Sequence, residues 1–397
     1  MKKISFLLVL LFLNLKAISI QDAVALAHQN NPDIKSFDIT SKSFYLDATK
    51  QSIWSNPVLG VGVNDIQFKK PFNRNLEPMQ TQFITISQVI PTGGKLALKR
   101  DISLQDAKIQ SLKKEELKRV LSAKIVELSY GYLIAQDKIA VIKKAVQNLK
   151  EQKKISTYLY ESSKKDFLSI LDIDTKQESL KLKLEDLLYT KQSLLLAIEK
   201  LSFVKIKDIK DSLKVKSIFI QQSKSINTHP TIKILKRMID KTTLQTKLEI
   251  AKKTSDIKVG LGYFNRDGFD DYVSINFSMP LKLSKREDIS IKQKKLQKKT
   301  LLIKLKSTKH QMQQDIKNLL LGLKRSRKNI SLIDEKLLHI NSQKEKIITV
   351  YEEQKSFGAL KKLQNRYKRY ELKLLKLKEL EHFFKAYSRL SYYKENL

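Results

Sequence analysis

Hydrophobic residues recur along this chain with two different periods, and the periods change in the same order in each half. Period two marks four short runs. Leu59, Val61 and Val63 oppose Gly60, Gly62 and Asn64, and Ile84 and Ile86 oppose Thr85 and Ser87. In the second half Ile257, Val259, Leu261 and Tyr263 oppose Gly260 and Gly262, while Val273, Ile275, Phe277 and Met279 oppose Ser274, Asn276 and Ser278. Strict alternation with small polar residues on one side predicts strands with a greasy and a wet face. Each run is about 9 to 11 residues, the length of a tilted strand crossing a bilayer. A soluble antiparallel sheet packed on a helix is the competing expectation. Phe68 to Gln80, through Pro71, Asn73, Asn75 and Pro78, joins the first pair, and Asn265 to Asp270 turns the second. Two hairpins with loops on the same side are expected.

Elsewhere the apolar steps are mostly three and four. One stripe is Leu117, Leu121, Ile125, Leu128, Tyr132, Ala135, Ile139, Ile142, Val146 and Leu149; a second is Leu180, Leu184, Leu187, Lys191, Leu194, Ile198 and Leu201. The second half offers Ile316, Leu320, Leu323, Arg327, Ile330, Ile333, Leu337, Ile340, Lys344 and Ile347, then Leu363, Tyr367, Tyr370, Leu374 and Leu377. A spacing near 3.5 predicts helices that pack against other helices along their whole length, as in coiled coils. No Pro interrupts the chain from Thr92 to the region of Tyr158, so one helix of some 60 residues, on the order of 90 Å, is predicted.

Short matches align the two halves at offsets of about 190 to 200 residues. Asn31-Pro32-Asp33-Ile34 answers His229-Pro230-Thr231-Ile232, and Gly60 and Gly62 answer Gly260 and Gly262. Pro91 and Lys99-Arg100-Asp101-Ile102 answer Pro280 and Lys285 to Ile289. An ordered series of this kind reads as a tandem duplication. The expected organisation is a signal peptide over 1–17 and a first repeat over 18–215, with its hairpin at about 57–90 and long helices at about 93–201. A second repeat follows over 216–397, with its hairpin at about 256–280 and long helices at about 285–390.

Composition narrows the compartment. Lys2 and Lys3 precede the apolar run Ile4 to Leu13, and Ala17 offers a small residue for signal peptidase, so export with a mature start near Ile18 is expected. No later segment is apolar for long enough to cross a bilayer as a helix, so a membrane form must be a β-barrel. The formal charge is +36, from 77 Lys and Arg against 41 Asp and Glu. Scattered lysines without zinc-finger or aromatic RNA-binding patterns read as solvation of long helices, and no nucleic-acid partner is expected.

Chemistry is sparse. Cysteine is absent and the five histidines make no metal-ligand spacing, so no metal site, cofactor or catalytic residue is expected. Thr92-Gly93-Gly94-Lys95 lacks the first Gly of a phosphate loop and reads as a strand-to-helix bend. Trp54 precedes the first strand and suits a membrane interface.

Four strands cannot close a barrel, and open edges in lipid would cost several kcal/mol per unpaired backbone group. Membrane strands therefore require sister subunits, and three copies would supply twelve strands, an even number within the known range.

The chain resembles the TolC-type outer-membrane efflux family over its mature length. The resemblance rests on Ile20 to Ile34 with its helix-then-Asn31-Pro32 pattern, on Asn56-Pro57, and on Gln88 to Lys95. Gly93-Gly94-Lys95 is similar to the heavy-metal, CzcC-like branch. The resemblance implies a mainly α fold with membrane β: long antiparallel coiled-coil helices and two β-hairpins per chain. It implies a homotrimer with a twelve-stranded β-barrel in outer-membrane lipid and a periplasmic α-barrel. A periplasmic adaptor and an inner-membrane pump of RND or ABC type are the implied partners. The family's helix tips, where the adaptor docks, carry a Tyr followed three residues later by Gly. Tyr160 and Tyr351 match the Tyr, but Ser163 and Gln354 replace the Gly, and Gly358 lies four residues further on. Asp172 and Asp174 follow the first tip and Lys361 and Lys362 the second. As a tunnel constriction, such a mixed or basic set would disfavour small cations, against a metal cargo.

The expected function is a passive conduit for small molecules or metal ions, not an enzyme. A periplasmic adaptor protein is the alternative, and it would need lipoyl-like and β-barrel segments between its helices. The residues expected to face lipid are Leu59, Val61, Val63, Ile84, Ile86, Val259, Leu261, Val273, Ile275 and Phe277.

Overall fold

The computed structural model describes residues 17–162, 167–215, 226–352 and 358–393, with the side chains of 351 and 352 also outside the description. The expected leader lies outside these residues except for Ala17. The described elements are β1 (Ala17–Ile18), α1 (Ile20–Asn30), α2 (Pro32–Ser52), β2 (Val58–Asn64), β3 (Thr81–Ile90), α3 (Lys95–Glu161), α4 (Leu168–Ser202) and β4 (Asp208–Ile209). They continue with α5 (Pro230–Ala251), β5 (Ile257–Arg266), β6 (Tyr272–Ser278), α6 (Arg286–Ser331), a π-helical turn (Leu332–Leu337), α7 (Leu338–Glu352) and α8 (Gly358–Ser391). The long uninterrupted helix predicted after Pro91 is α3, 67 residues, about 100 Å at the α-helical rise.

The chain forms two compact units. One comprises Lys35–Glu115 and Pro230–His310; the other comprises the described residues of 17–34, 116–229 and 311–393. Each therefore draws on both halves of the sequence.

The first unit holds one four-stranded sheet in the order β2-β3-β5-β6, antiparallel throughout. Sequence patterning gave two hairpins; the structure joins them through β3 and β5, from Thr81 opposite Arg266 to Ile90 opposite Ile257. The two central strands have 10 residues and the two edge strands 7, so the edges are shorter than expected. A residue at an edge has a ladder partner on one side only, and pairing ends sooner there. Residues of α2, α3, α5 and the first part of α6 complete this unit. Ser41 Oγ donates to Ala107 O at 3.2 Å, and Lys241 pairs with Asp106 at 2.7 Å.

In the second unit the predicted stripe of α3 is the core. Leu121, Ile125, Leu128, Tyr132, Ala135, Ile139, Ile142 and Leu149 are buried. Tyr130 stacks on Phe384 at 3.9 Å between ring centroids. Helix α1 starts with a capping box, Ser19 Oγ accepting from the Asp22 N–H and Asp22 accepting from the Ser19 N–H, which satisfies two orphan donors. Asn31 carries out the turn into α2: its Oδ1 accepts from the Asp33 N–H at 2.9 Å, while its Nδ2 donates to Leu201 O at 3.3 Å. Pro32 then opens the next helix where a missing N–H costs nothing. The short parallel pair of β1 and β4, Ala17 opposite Asp208 and Ile18 opposite Ile209, was not foreseen.

The helix after Pro280 departs from its predicted stripe. Met312, Ile316, Leu323, Ile330 and Ile333 are buried, but Leu337, Ile340 and Ile347 are exposed, and Asn341 is buried instead. The π-helical turn between them is the cause. It holds one residue more than an α-turn, so everything after it rotates by about 100° about the axis. The inward face moves from 337, 340, 344 and 347 to 338, 341, 345 and 348. Asn341 then meets Asn365 of α8: its Nδ2 donates to Asn365 O and Oδ1, at 3.1 and 2.9 Å, and Asn365 Nδ2 donates to Asn341 O at 3.1 Å.

Candidate functional site

The sheet register turns four separate alternations into continuous rows. Leu59, Ile86, Leu261 and Ile275 stand side by side across all four strands, as do Val61, Ile84, Tyr263 and Val273. Val259 and Phe277 form the next row with Gln88. Every residue expected to face lipid lies on this one face. Val61 and Phe277 are each 73% exposed and Ile275 64%, so the face is an open apolar surface, and Val259 is half-buried. No strand partner covers the outer edges of β2 and β6 among the described residues.

On the opposite face the rows are Val58, Ser87, Gly260 and Asn276, then Gly60, Thr85, Gly262 and Ser274, then Gly62, Phe83, Phe264 and Tyr272. The last row is aromatic, which alternation alone did not single out. Phe264 and Tyr272 stack at 4.8 Å. A Cβ on Gly62 would lie 2.6 Å from the Phe83 ring, so this ring lies flat where the glycine leaves room.

The bend from β3 into α3 is fastened to the bend from α5 into β5. Gly93 and Gly94 both take positive φ, +65° and +67°. The Thr92 N–H donates to Asp256 Oδ1 at 2.9 Å, and Thr92 Oγ1 donates to Ser255 O at 2.7 Å. Lys95, its side chain only 8% exposed, donates to Thr254 O and pairs with Asp256 at 2.6 Å. Desolvation pushes the Asp256 carboxyl up, but the Lys95 and Thr92 hydrogen bonds and the Lys95 charge bring it below the ordinary carboxylate range. The Gly-Gly-Lys sequence is a structural clamp.

Of the residues expected at the helix tips, Tyr160 is 46% exposed and its ring lies 5.6 Å from that of Phe167. Tyr158, Leu168 and Leu171 are exposed nearby in sequence. Ser163 and Gln354 lie outside the described residues, as does the Tyr351 side chain, while Gly358 starts α8. Asp174 is paired with Lys153 at 2.7 Å, Asp172 and Lys361 are exposed, and Lys362 is half-buried. The structure therefore gives Asp174 a cationic partner within its own chain, which spacing did not reveal.

Both units also expose apolar residues at heptad spacing. Helix α2 presents Ile39 and Leu46, with Ile53 just past its end, and α6 presents Ile289, Leu296 and Ile303; α4 presents Leu182, Tyr189 and Leu196, and α7 presents Ile340 and Ile347. Steps of seven on an exposed face are the seams of helices that await further helices. Among the described residues no group of three or more His, Cys, Asp or Glu could hold a metal ion, and no helix is long and apolar enough to cross a membrane.

No protein-family model matches this chain, and no curated protein matches it. Solved structures do. A membrane protein from Pseudomonas aeruginosa superposes with a TM-score of 0.78 at 12% identity, over 94% of this chain and 92% of that one. The MtrE outer membrane channel of Neisseria gonorrhoeae gives 0.75 at 12% identity, over 94% and 88%. The CmeC outer membrane channel of Campylobacter jejuni gives 0.74 at 14% identity, over 94% and 85%. The chain thus has the fold of outer-membrane channel proteins. It is the TolC-type fold: long helices carrying a four-stranded sheet built from two hairpins of one chain.

Proposed function

We propose that this chain is the subunit of a passive outer-membrane channel, one component of a tripartite efflux or secretion system. The sheet carries the reading: a continuous, exposed apolar face, a small-residue and polar face behind it, and two open edges. Water would penalise such a face, and lipid would penalise such edges, unless copies of the chain close the wall around a lumen. Three copies give twelve strands. The exposed heptad seams supply helix faces for the same assembly. In this reading Tyr160, Ser163, Tyr351, Gln354 and Gly358 belong to tips that meet a periplasmic adaptor, and an inner-membrane pump provides the driving energy. Residues 1–17 direct export. The fold, shared with the outer membrane channels of Neisseria gonorrhoeae and Campylobacter jejuni, supports this assignment.

The test is a charge on the apolar face. Ile275→Arg should cost about 2 to 4 kcal/mol of insertion free energy if the position lies near the bilayer centre. Heat-modifiable trimer in outer-membrane fractions should fall sharply, while Ser274→Arg on the wet face should leave it near wild type. Equal trimer yields for the two variants would defeat the assignment of faces.

A further inference from the structure

The β2–β3 connection ends in an exposed aromatic and basic turn, Phe68-Lys69-Lys70-Pro71-Phe72. Its base is firmly built. Gln80, 2% exposed, donates through Nε2 to Asp65 O and Asn73 O at 3.2 and 2.8 Å, and its Oε1 accepts from the Leu76 N–H at 3.0 Å. Two successive turns shape the tip, the Lys70 N–H donating to Gln67 O and the Asn73 N–H to Lys70 O. On this rigid base Phe68 is 99% exposed and Phe72 94%. Folding this segment covers neither ring.

The loop is also held to a particular side of the sheet. Arg74 Nη2 donates to Asn265 O and Oδ1, at 3.2 and 2.7 Å. Asn265 stands opposite Gln82 and Val63 in the last row of the apolar face. Arg74, two residues past the turn, thus ties the loop to the rim row of the apolar face. Charge adds direction: Lys69 and Lys70 lie in the turn itself, and the two acids of the loop, Asp65 and Glu77, lie toward its ends.

We propose that this turn anchors the subunit in the outer leaflet. Phe68 and Phe72 would enter the boundary between headgroups and acyl chains, and Lys69 and Lys70 would engage anionic phosphate groups of the lipid. Aromatic rings beside lysines at the rim of a lipid-facing surface match the chemistry of a membrane interface. A soluble protein partner would not need the continuity with the apolar rows. The inference rests on the barrel reading above.

The experiment uses full-length trimer with Trp54→Phe, so that a single added tryptophan reports. Phe68→Trp and Ile275→Trp are reconstituted separately into vesicles of brominated phosphatidylcholine, with and without anionic phosphatidylglycerol. The reporter at 275 should lose most of its emission in both. The reporter at 68 should also be quenched, more strongly with the anionic lipid, and adding Lys69→Gln and Lys70→Gln should remove that increment. Quenching at 275 without quenching at 68 overturns the anchor and leaves the barrel standing; a blue-shifted but unquenched reporter at 68, covered by protein, does the same. Equal quenching at 68 in both lipids overturns the role of the lysines. Quenching at neither position overturns the barrel and the anchor together.

Discussion

His229 shows how a repeated motif position can carry a burden its counterpart does not. Its partner in the first half, Asn31, caps a helix, whereas His229 is fully buried, with Nε2 3.1 Å from Tyr392 O and its ring 4.6 Å from that of Tyr392. Burial and the nearby Arg119 charge lower its pKa from 6.5 to about 4. The unfolded chain therefore takes up a proton near pH 6.5 that the folded chain refuses until about pH 4. Stability from this group is complete above the upper value and drains away as the pH falls to the lower, by on the order of 3 kcal/mol. Melting of the detergent-solubilised protein should become progressively easier across that interval. His229→Gln should flatten this part of the profile, even at the cost of a lower melting point at neutral pH. Parallel profiles for the two proteins would remove His229 from the acid response. Asp256 works on a lower range: its depressed pKa means that the clamp with Lys95 is lost only as the pH drops below ordinary carboxylate values.

Elements were legible in the sequence to the extent that their period was local. The strands around Val61, Ile84, Leu261 and Ile275 follow from alternation, and α3 follows from the long gap between prolines. Pairing of β3 with β5 was hidden because its partners lie far apart in the chain and no side-chain pattern specifies them. The site divided in the same way. The residues that share the apolar face of the sheet announced themselves, but the Asp174–Lys153 pair and the Lys95 clamp depend on which helices and bends become neighbours. The π-turn was concealed by chance apolarity, since Leu337, Ile340 and Ile347 continue the step of three and four although they face outward. This leads to a test by deletion. Removing exposed Glu335 would turn the π-segment into regular α-helix and keep 338, 341, 345 and 348 on the inward face, so trimer yield should stay near wild type. Removing exposed Lys324 instead should throw Ile330 and Ile333 out of phase, at a cost of several kcal/mol for two buried aliphatic residues. Trimer yields that suffer equally from both deletions would mean that the extra residue is not what sets the downstream phase.

At the scale of the whole molecule the unfinished surfaces all ask for the same completion. The sheet leaves two edges open, and the helices leave α2, α4, α6 and α7 with exposed seams at intervals of seven. A lone chain in water would keep Leu182 71% and Tyr189 76% exposed, which a coiled-coil neighbour would cover. Strand closure and helix closure are then two separable contributions to one assembly. Leu182→Lys with Leu196→Lys charges the α4 seam without touching the sheet or the buried Ile170, Ile173 and Ile198 of the same helix. Burying each leucine is worth roughly 1.5 to 3 kcal/mol, so the pair should shift trimer to monomer at concentrations where Ile275→Val remains trimeric. Circular dichroism should still report the helical chain, because the proposed assembly places the lost contacts between subunits. A variant that stays fully trimeric would show the α4 face to be free surface, and the wall would then have to be closed by the strands and the remaining seams alone.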